Sequence, residues 1–204
     1  MRVKSDSKRS ELVRAATAVF MELGYERTQM EQISARAQCS KGTLYSYFSS
    51  KEELFIEAVA VGTLVEAKGV ISALEISSEP MHLMLKNFGL AFLTTLYTPQ
   101  FQSLRKLAFS SSSELVGRRI YTEVVEPYQF QVAALMKHGM DNNQLLKAEP
   151  LNAALHLCAL LESELLLKFM LNALEEITPT ILEGAASRAV DTFMRAFSKQ
   201  HITD

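Results

Sequence analysis

Four of the five prolines in this chain, Pro80, Pro99, Pro150 and Pro179, each stand at the head of a long run whose apolar residues recur every three or four positions. A proline in the first helical turn costs nothing, because its missing amide would be unpaired there anyway. The pattern therefore reads as a series of helix starts. With only eight glycines among 204 residues, little material remains for the turns of a many-stranded sandwich or barrel. The expected fold class is all-α, with about nine helices and no credible strand or internal repeat. A chain of this length suits one large or two small domains.

The runs headed by proline predict helices near 80–97, 99–110, 114–140, 150–174 and 179–199, with Thr98 and Thr178 as N-caps. Pro127 falls inside the third of these and should kink or divide it. The first helix is expected from Ser10 to Leu23, with Leu12, Ala16, Val19, Phe20 and Leu23 on one face and Gly24 as its stop. Thr28-Gln29-Met30-Glu31 has the form of a capping box, opening a short helix whose buried side carries Met30, Ile33 and Ala37. Ser40 caps a third short helix bearing Leu44, Tyr45 and Phe48. Ser50-Lys51-Glu52-Glu53 is a second capping box, opening a long helix through Leu54, Phe55, Ala58 and Val65.

Charge divides the chain unevenly. Residues 1–51 hold nine Lys/Arg against five Asp/Glu, and residues 52–204 hold twelve against eighteen. A basic head on an acidic body fits a nucleic-acid-binding segment joined to a separate regulatory or assembly domain. The expected division is 1–52 for the first domain, with the helix from about 51 as connector, and 53–204 for the second. Cys39 and Cys158 form no CxxC pair and no disulfide framework. Cys39 reads as a small buried hydrophobe rather than a redox switch. The N-terminus is basic and polar without a signal-type apolar segment, and the longest uncharged stretch, Asn87 to Leu104, is interrupted by polar residues and Pro99. No membrane span and a cytoplasmic location are expected.

Two short helices at 28–38 and 40–48, separated by a tight turn and braced by an amphipathic helix, have the dimensions of a helix-turn-helix. Entry into a major groove requires a second helix that is slim at its N-terminus. Ser40-Lys41-Gly42-Thr43 meets that need: Lys41 brings charge, Gly42 lets the backbone approach, and Thr43 can meet a phosphate or a thymine methyl. Tyr45 and Tyr47 carry hydroxyls suited to phosphate. Lys51 stands at the next helix start, where free amides also attract phosphate.

The residues Ala15-Ala16, Phe20, Gly24-Tyr25, Thr28, Ile33, Ala37, Ser40-Lys41-Gly42-Thr43-Leu44-Tyr45-Ser46-Tyr47-Phe48 and Lys51-Glu52-Glu53-Leu54 together resemble the N-terminal domain of TetR-family transcriptional regulators over roughly residues 9–59. The resemblance implies an all-α homodimer whose third helix reads DNA, a larger C-terminal domain holding a small ligand, and a dimer interface built by the two C-terminal helices. It places DNA contacts at Thr28, Lys41, Gly42, Thr43, Tyr45, Tyr47 and Lys51, with Ser46 facing the groove as well. One departure stands out. The turn commonly reads Ala-Gly-Val-Ser, and here it is Ala37-Gln38-Cys39-Ser40, so Gln38 would carry strain of at most about 1 kcal/mol if its backbone is left-handed.

In the larger domain the run 150–174 is apolar nearly all round, which predicts burial on every side. In the resembled fold this helix lies between ligand cavity and partner subunit. Leu155 on it, and Ala186, Ala189, Val190, Phe193 and Phe197 on the last helix, are the expected dimer-interface residues, the alanines allowing close approach. Phe88, Phe92, Phe109, Tyr121, Tyr128 and Phe130, with Met84, Met136 and Met140, are candidates for lining a small, mostly apolar ligand site. Glu162 interrupts the stripe of Leu155, Cys158, Leu165 and Phe169, and a buried carboxylate needs a partner. It is either a ligand anchor for a cation or hydroxyl, or a structural ion pair with an Arg or Lys; the second is preferred. Glu164 is expected to pair with Lys168, four residues on.

His82, His138, His156 and His201 are scattered, without HExxH or paired i,i+4 ligands, and no GxSxG elbow, phosphate-binding loop or dinucleotide fingerprint occurs. No metal, no cofactor and no catalytic residue is assigned. The resulting expectation is a ligand-released repressor binding a pseudo-palindromic operator as a homodimer. The alternative is a helical small-molecule-binding protein that has lost specific DNA recognition.

Overall fold

The computed structural model describes residues 5–74 and 79–199; His201 and the first four residues lie outside them. In chain order the helices are α1 (Asp6–Leu23), α2 (Met30–Arg36), α3 (Lys41–Tyr47), α4 (Lys51–Glu66), α5 (Lys68–Ser72), α6 (Met81–Leu96), α7 (Pro99–Phe109), α8 (Glu114–Ile120), a π-helical turn (Tyr121–Val125), α9 (Glu126–Asp141), α10 (Pro150–Glu162), α11 (Leu166–Met170) and α12 (Pro179–Phe197). The fold is all-α. Among the described residues the one β feature is an isolated antiparallel bridge between Leu145 and Ser198. Among the described residues the helix count exceeds the expected nine because the predicted helices 114–140 and 150–174 are each interrupted and α5 follows α4 as a separate short helix. The turn Tyr121–Val125 lies just before Pro127, which cannot supply an amide to the preceding turn.

The chain forms two compact units. The first unit comprises the described residues up to Val65 together with Pro99–Val125; the second comprises Glu66–Thr98 and the chain from Glu126 onward. In the first unit Leu12, Ala16, Val19 and Phe20 of α1 pack with Ile33, Leu44, Phe48, Leu54 and Phe55, and Leu104, Leu107, Val116 and Ile120 from α7 and α8 complete the same core. Its centre is aromatic: Phe55 meets Phe20 edge-on at 4.9 Å and Tyr25 at 4.6 Å between ring centroids. Such pairs add roughly 0.5–1.5 kcal/mol each beyond the area they bury. Ser112, in a run that reads only as a helix break, donates its amide and hydroxyl to Glu26 at 3.1 and 2.8 Å, and Ser113 caps α8.

In the second unit α6 lies in close contact with α12. A Cβ on Gly89 would stand 2.8 Å from Leu161 Cδ2 and 3.6 Å from the Ala186 Cβ, so small residues meet at this crossing. Ala186, Ala189, Val190 and Phe193 are buried within their own protomer, where α12 turns its apolar stripe toward α6 and α10. Leu155 and Phe197 are half-buried, the latter stacked on Phe193 at 4.5 Å. The run 150–174 also departs from expectation. It breaks between α10 and α11 at residues 163–165, and within the single protomer Leu167 and Leu171 are 67% and 68% exposed. The break removes Glu164 from helical register with Lys168, and its carboxylate instead receives Arg188 of α12 at 2.8 and 2.7 Å. The α6 N-terminus is closed by a distant residue, Gln144, whose side-chain oxygen accepts from the Met81 amide at 2.7 Å.

Candidate nucleic-acid interface

The turn between α2 and α3 is closed by two backbone bonds. The Gln38 amide reaches Ala35 O at 3.1 Å and the Cys39 amide reaches Ser34 O at 3.0 Å. This pairing is the Schellman arrangement, which requires a left-handed residue after the C-cap. Gln38 fills that position at φ 48°. The turn is therefore complete, and it holds a residue that pays a conformational penalty a glycine would not. Ile33 and Leu44, both fully buried, lock the two helices onto the core of the first unit.

At the start of α3 the Ser40 hydroxyl accepts from the Thr43 amide at 3.0 Å, as the cap requires. Lys41, Gly42, Tyr45 and Ser46 are exposed, Thr43 and Tyr47 are half-buried, and Leu44 and Phe48 are buried. Tyr45 is thus a surface residue, 48% exposed, whereas Phe48 belongs to the core. A Cβ at Gly42 would meet nothing closer than Ser40 Oγ at 3.8 Å. The protomer's own packing does not demand glycine there, and the helix start is left slim and open. Lys41 forms an ion pair with Glu31 of α2, which holds the Glu31 carboxyl below its ordinary range. The Ser46 hydroxyl donates to Thr43 O at 2.7 Å, and the Tyr47 hydroxyl accepts from the Ser5 amide at 3.2 Å.

Two expected contact residues face inward. Thr28 is fully buried, and its hydroxyl donates to Gly24 O at 2.7 Å, closing the connection between α1 and α2. Its burial also shifts the capping box by one residue: the Gln29 amide donates to the Gln32 side-chain oxygen at 2.7 Å. Lys51 places its ammonium on the carbonyls of Tyr25 and Thr28 at 2.9 and 3.2 Å and over the Tyr25 ring at 4.3 Å. Both residues hold the α1–α2 connection in place.

Arg9 carries a role that the sequence pattern did not reveal. Its Nε donates to Glu57 Oε1 at 2.7 Å, a second guanidinium nitrogen pairs with Oε2, and a third contact reaches Tyr47 O at 3.3 Å. The guanidinium also lies 4.5 Å from the centre of the Phe48 ring. One side chain of α1 thereby ties the end of α3 to α4. The only local signal is a basic residue in a basic segment, and its partners lie 38 and 48 positions away. Arg36 similarly fixes α2 to α1 through a forked pair with Glu22 at 2.7–2.9 Å.

The first unit matches the family model of bacterial regulatory proteins of the tetR family over residues 12–58, and residues 83–199 match that of the AefR-like transcriptional repressor C-terminal domain. The chain belongs to the TetR family. The matched models and the curated relatives are described as regulatory proteins and helix-turn-helix transcriptional regulators. It is 28% identical over 131 residues to the HTH-type transcriptional regulator YhgD of Bacillus subtilis, an overlap of 64% of this chain and 66% of that one, so it spans just under two thirds of that relative's length. A TetR-family regulator from Mesorhizobium loti superposes with a TM-score of 0.82 at 24% identity, covering 97% of this chain and all of the other. The flavonoid-responsive regulator FrrA superposes with a TM-score of 0.79 at 22% identity over 97% and 100%.

In this TetR-family chain the aromatic residues expected to line one ligand site are divided between the two units. Phe109 and Tyr121 belong to the first unit and are 58% and 46% exposed. Phe88 and Phe92 are buried in the second unit, 5.6 Å apart, and Tyr128 stacks on Phe92 at 6.3 Å. The Tyr128 hydroxyl is sealed from solvent and has no hydrogen-bond partner among the described residues. An orphaned buried hydroxyl costs on the order of 1–3 kcal/mol. Glu162 accepts from the Tyr97 hydroxyl at 3.1 Å. Among the described residues no three His, Cys, Asp or Glu side chains converge as a metal site, and no helix is long and apolar enough to cross a membrane.

Proposed function

We propose that this regulator is a ligand-released repressor that binds a pseudo-palindromic operator as a homodimer, reading it through Lys41, Gly42, Thr43, Tyr45, Ser46 and Tyr47. The observation that carries the reading is the open N-terminus of α3, where exposed Lys41 and Gly42 are followed by exposed Tyr45 and Ser46 and nothing in the protomer requires the glycine. The description of the matched C-terminal family model supports repression. In a two-fold dimer, two α3 helices would enter major grooves about one helical turn apart. The DNA-silent alternative rests on Gln38 and on the modest excess of four positive charges in residues 1–51; the completed turn around Gln38 speaks against the first of these.

Dimerisation runs through the outer faces of the last helices rather than through Ala186, Ala189, Val190 and Phe193. Leu167, Met170, Leu171 and Ile181 are exposed apolar residues in that region, and a contact with a second copy would cover them. A small ligand shifts the equilibrium between DNA-competent and released forms only by binding one of them better. A cytoplasmic location accords with this role.

Selection of binding sites from a random DNA pool with purified protein tests the reading. The expected winner has two-fold symmetry, is bound with strong salt dependence, and loses base preference with Lys41→Ala. A folded protein that enriches no sequence over random DNA overturns it.

A further inference from the structure

A seven-residue helix whose one fully buried side chain is Leu44 has little packing of its own to fix its direction, so the far end of α3 depends on ties from its neighbours. Those ties converge on the corner between α3 and α4. Arg9, near the start of α1, donates through Nε to Glu57 Oε1 of α4 at 2.7 Å and pairs through a second nitrogen with Oε2. The same guanidinium reaches Tyr47 O, at the last residue of α3, at 3.3 Å and lies 4.5 Å from the centre of the Phe48 ring. The Ser5 amide donates to the Tyr47 hydroxyl at 3.2 Å, and the Ser49 amide and hydroxyl both donate to Glu53 Oε2 at 2.7 Å. We propose that Arg9, held by Glu57, is a positioning residue for operator binding: it sets the direction of α3 and makes no phosphate contact of its own. The proposal rests on the reading of α3 as the helix that enters the groove.

A cation in the basic head of a DNA-binding chain is the usual choice for a phosphate contact, and the surroundings of Arg9 argue against it. The Glu57 hydrogen bond raises the Arg9 pKa against its partial burial, and the charges of Glu57, Glu53 and Asp6 raise it further. A phosphate would have to displace a forked carboxylate in the field of two more acidic groups. The contacts also need a guanidinium in particular. Its plane spans both Glu57 oxygens, a carbonyl and a ring face at once, whereas an ammonium is a point charge that cannot hold the same fork. The Tyr47 carbonyl belongs to the helix end, where no amide within α3 can serve it and where a cation meets the negative end of the helix dipole. Glu57 thereby aids DNA binding although it carries the same sign of charge as DNA.

The test uses the full chain and the DNA site it enriches from a random pool, with affinity read at several salt concentrations well below the Tm of each variant. Arg9→Lys keeps the charge and loses the fork, and should weaken binding about fivefold, the effect of roughly one hydrogen bond. Glu57→Gln should weaken it about threefold, although removing a negative charge would strengthen it by electrostatics alone. The double variant should bind about as well as Arg9→Lys, because each residue acts through the other. The slope of log affinity against log salt should stay at the wild-type value in Arg9→Met, whereas loss of a phosphate contact would lower it by about 0.9. Wild-type affinity in Arg9→Lys, tighter binding by Glu57→Gln, additive losses or a lowered slope overturns the proposal. So does a fall in Tm with the affinity of the folded variants unchanged, which is what a merely structural tie would give. Arg9→Lys and Glu57→Gln carry the test even if Arg9→Met fails to fold. A wild type that enriches no site refutes the reading of α3 and this role with it; wild-type binding with indifferent variants refutes this role alone.

Discussion

Replacing Lys51 with Met keeps most of the side chain's length and apolar stem and removes only the ammonium. In the folded protein that ammonium serves the carbonyls of Tyr25 and Thr28 and covers the Tyr25 ring. Hydrogen bonds to a charged group contribute about 1.5–3 kcal/mol when well shielded, and an exposed cation–π contact about 0.5–1 kcal/mol. Lys51 is half-buried, so water recovers part of the loss, and a net cost of about 2 kcal/mol follows. For a chain of this size that lowers Tm by roughly 4–8 °C. Thermal unfolding by circular dichroism reads the effect, with DNA affinity measured on the same samples well below Tm. Lys41→Met is the control: its pair with Glu31 is exposed on both sides, so Tm should move by no more than about 2 °C while DNA affinity falls. If Lys51→Met leaves Tm within about 1 °C of wild type and lowers the salt dependence of DNA binding by the roughly 0.9 expected for one phosphate contact, the ammonium works on DNA and the structural reasoning fails.

Gln38→Gly relieves a left-handed residue but loosens the unfolded chain, so a net gain of up to about 1 kcal/mol is expected, with Tm rising 2–4 °C; a lower Tm would contradict the strain argument. Gly89→Val overfills the crossing with Leu161 and Ala186 and should cost about 1–3 kcal/mol, read as a lower denaturant midpoint; an unchanged midpoint would refute the close approach. Cys158, with its thiol pushed up to about 12, should resist iodoacetamide in the native protein at pH 8 by intact-mass analysis, and rapid alkylation there would exclude the buried, protonated state. Glu22, Glu26, Glu31 and Glu53 are each held below the ordinary carboxylate value of 4.5, chiefly by hydrogen bonds from Arg36, Ser112, Lys41 and Ser49 respectively. A depressed folded pKa adds stability that is present above the unfolded value and lost as pH falls through the folded one. Hydrogen exchange in the first unit should therefore accelerate below pH 4.5 relative to its pH-corrected intrinsic rate; constant protection down to pH 3 would contradict this.

The parts of the site legible in the sequence are those settled within a turn or two of chain. Ser40 caps α3, Thr178 caps α12 ahead of Pro179, Gly24 ends α1 at φ 78°, and Gln38 takes the left-handed position its place in the turn requires. The residues turned outward at the start of α3 followed from the same local periodicity. Thr28 and Lys51 did not, because a polar residue near a helix end has the same local pattern whether it faces solvent or caps a neighbouring segment. Only the packing of α4 against the α1–α2 connection brings Lys51 to Tyr25 and Thr28.

What the sequence by itself determined is the helical class, most helix starts and the turn that presents α3, since caps, prolines and i,i+4 stripes act through bonds made inside one element. The tertiary structure decided which stripe meets which. An apolar face states that it will be buried without naming its partner, and Ala186 and Val190 found α6 of their own chain. It also decided that α7 and α8 complete the core of the first unit, and that Arg9 joins α3 to α4. Those pairings depend on contacts between residues tens of positions apart, whose geometry exists only once the helices have packed.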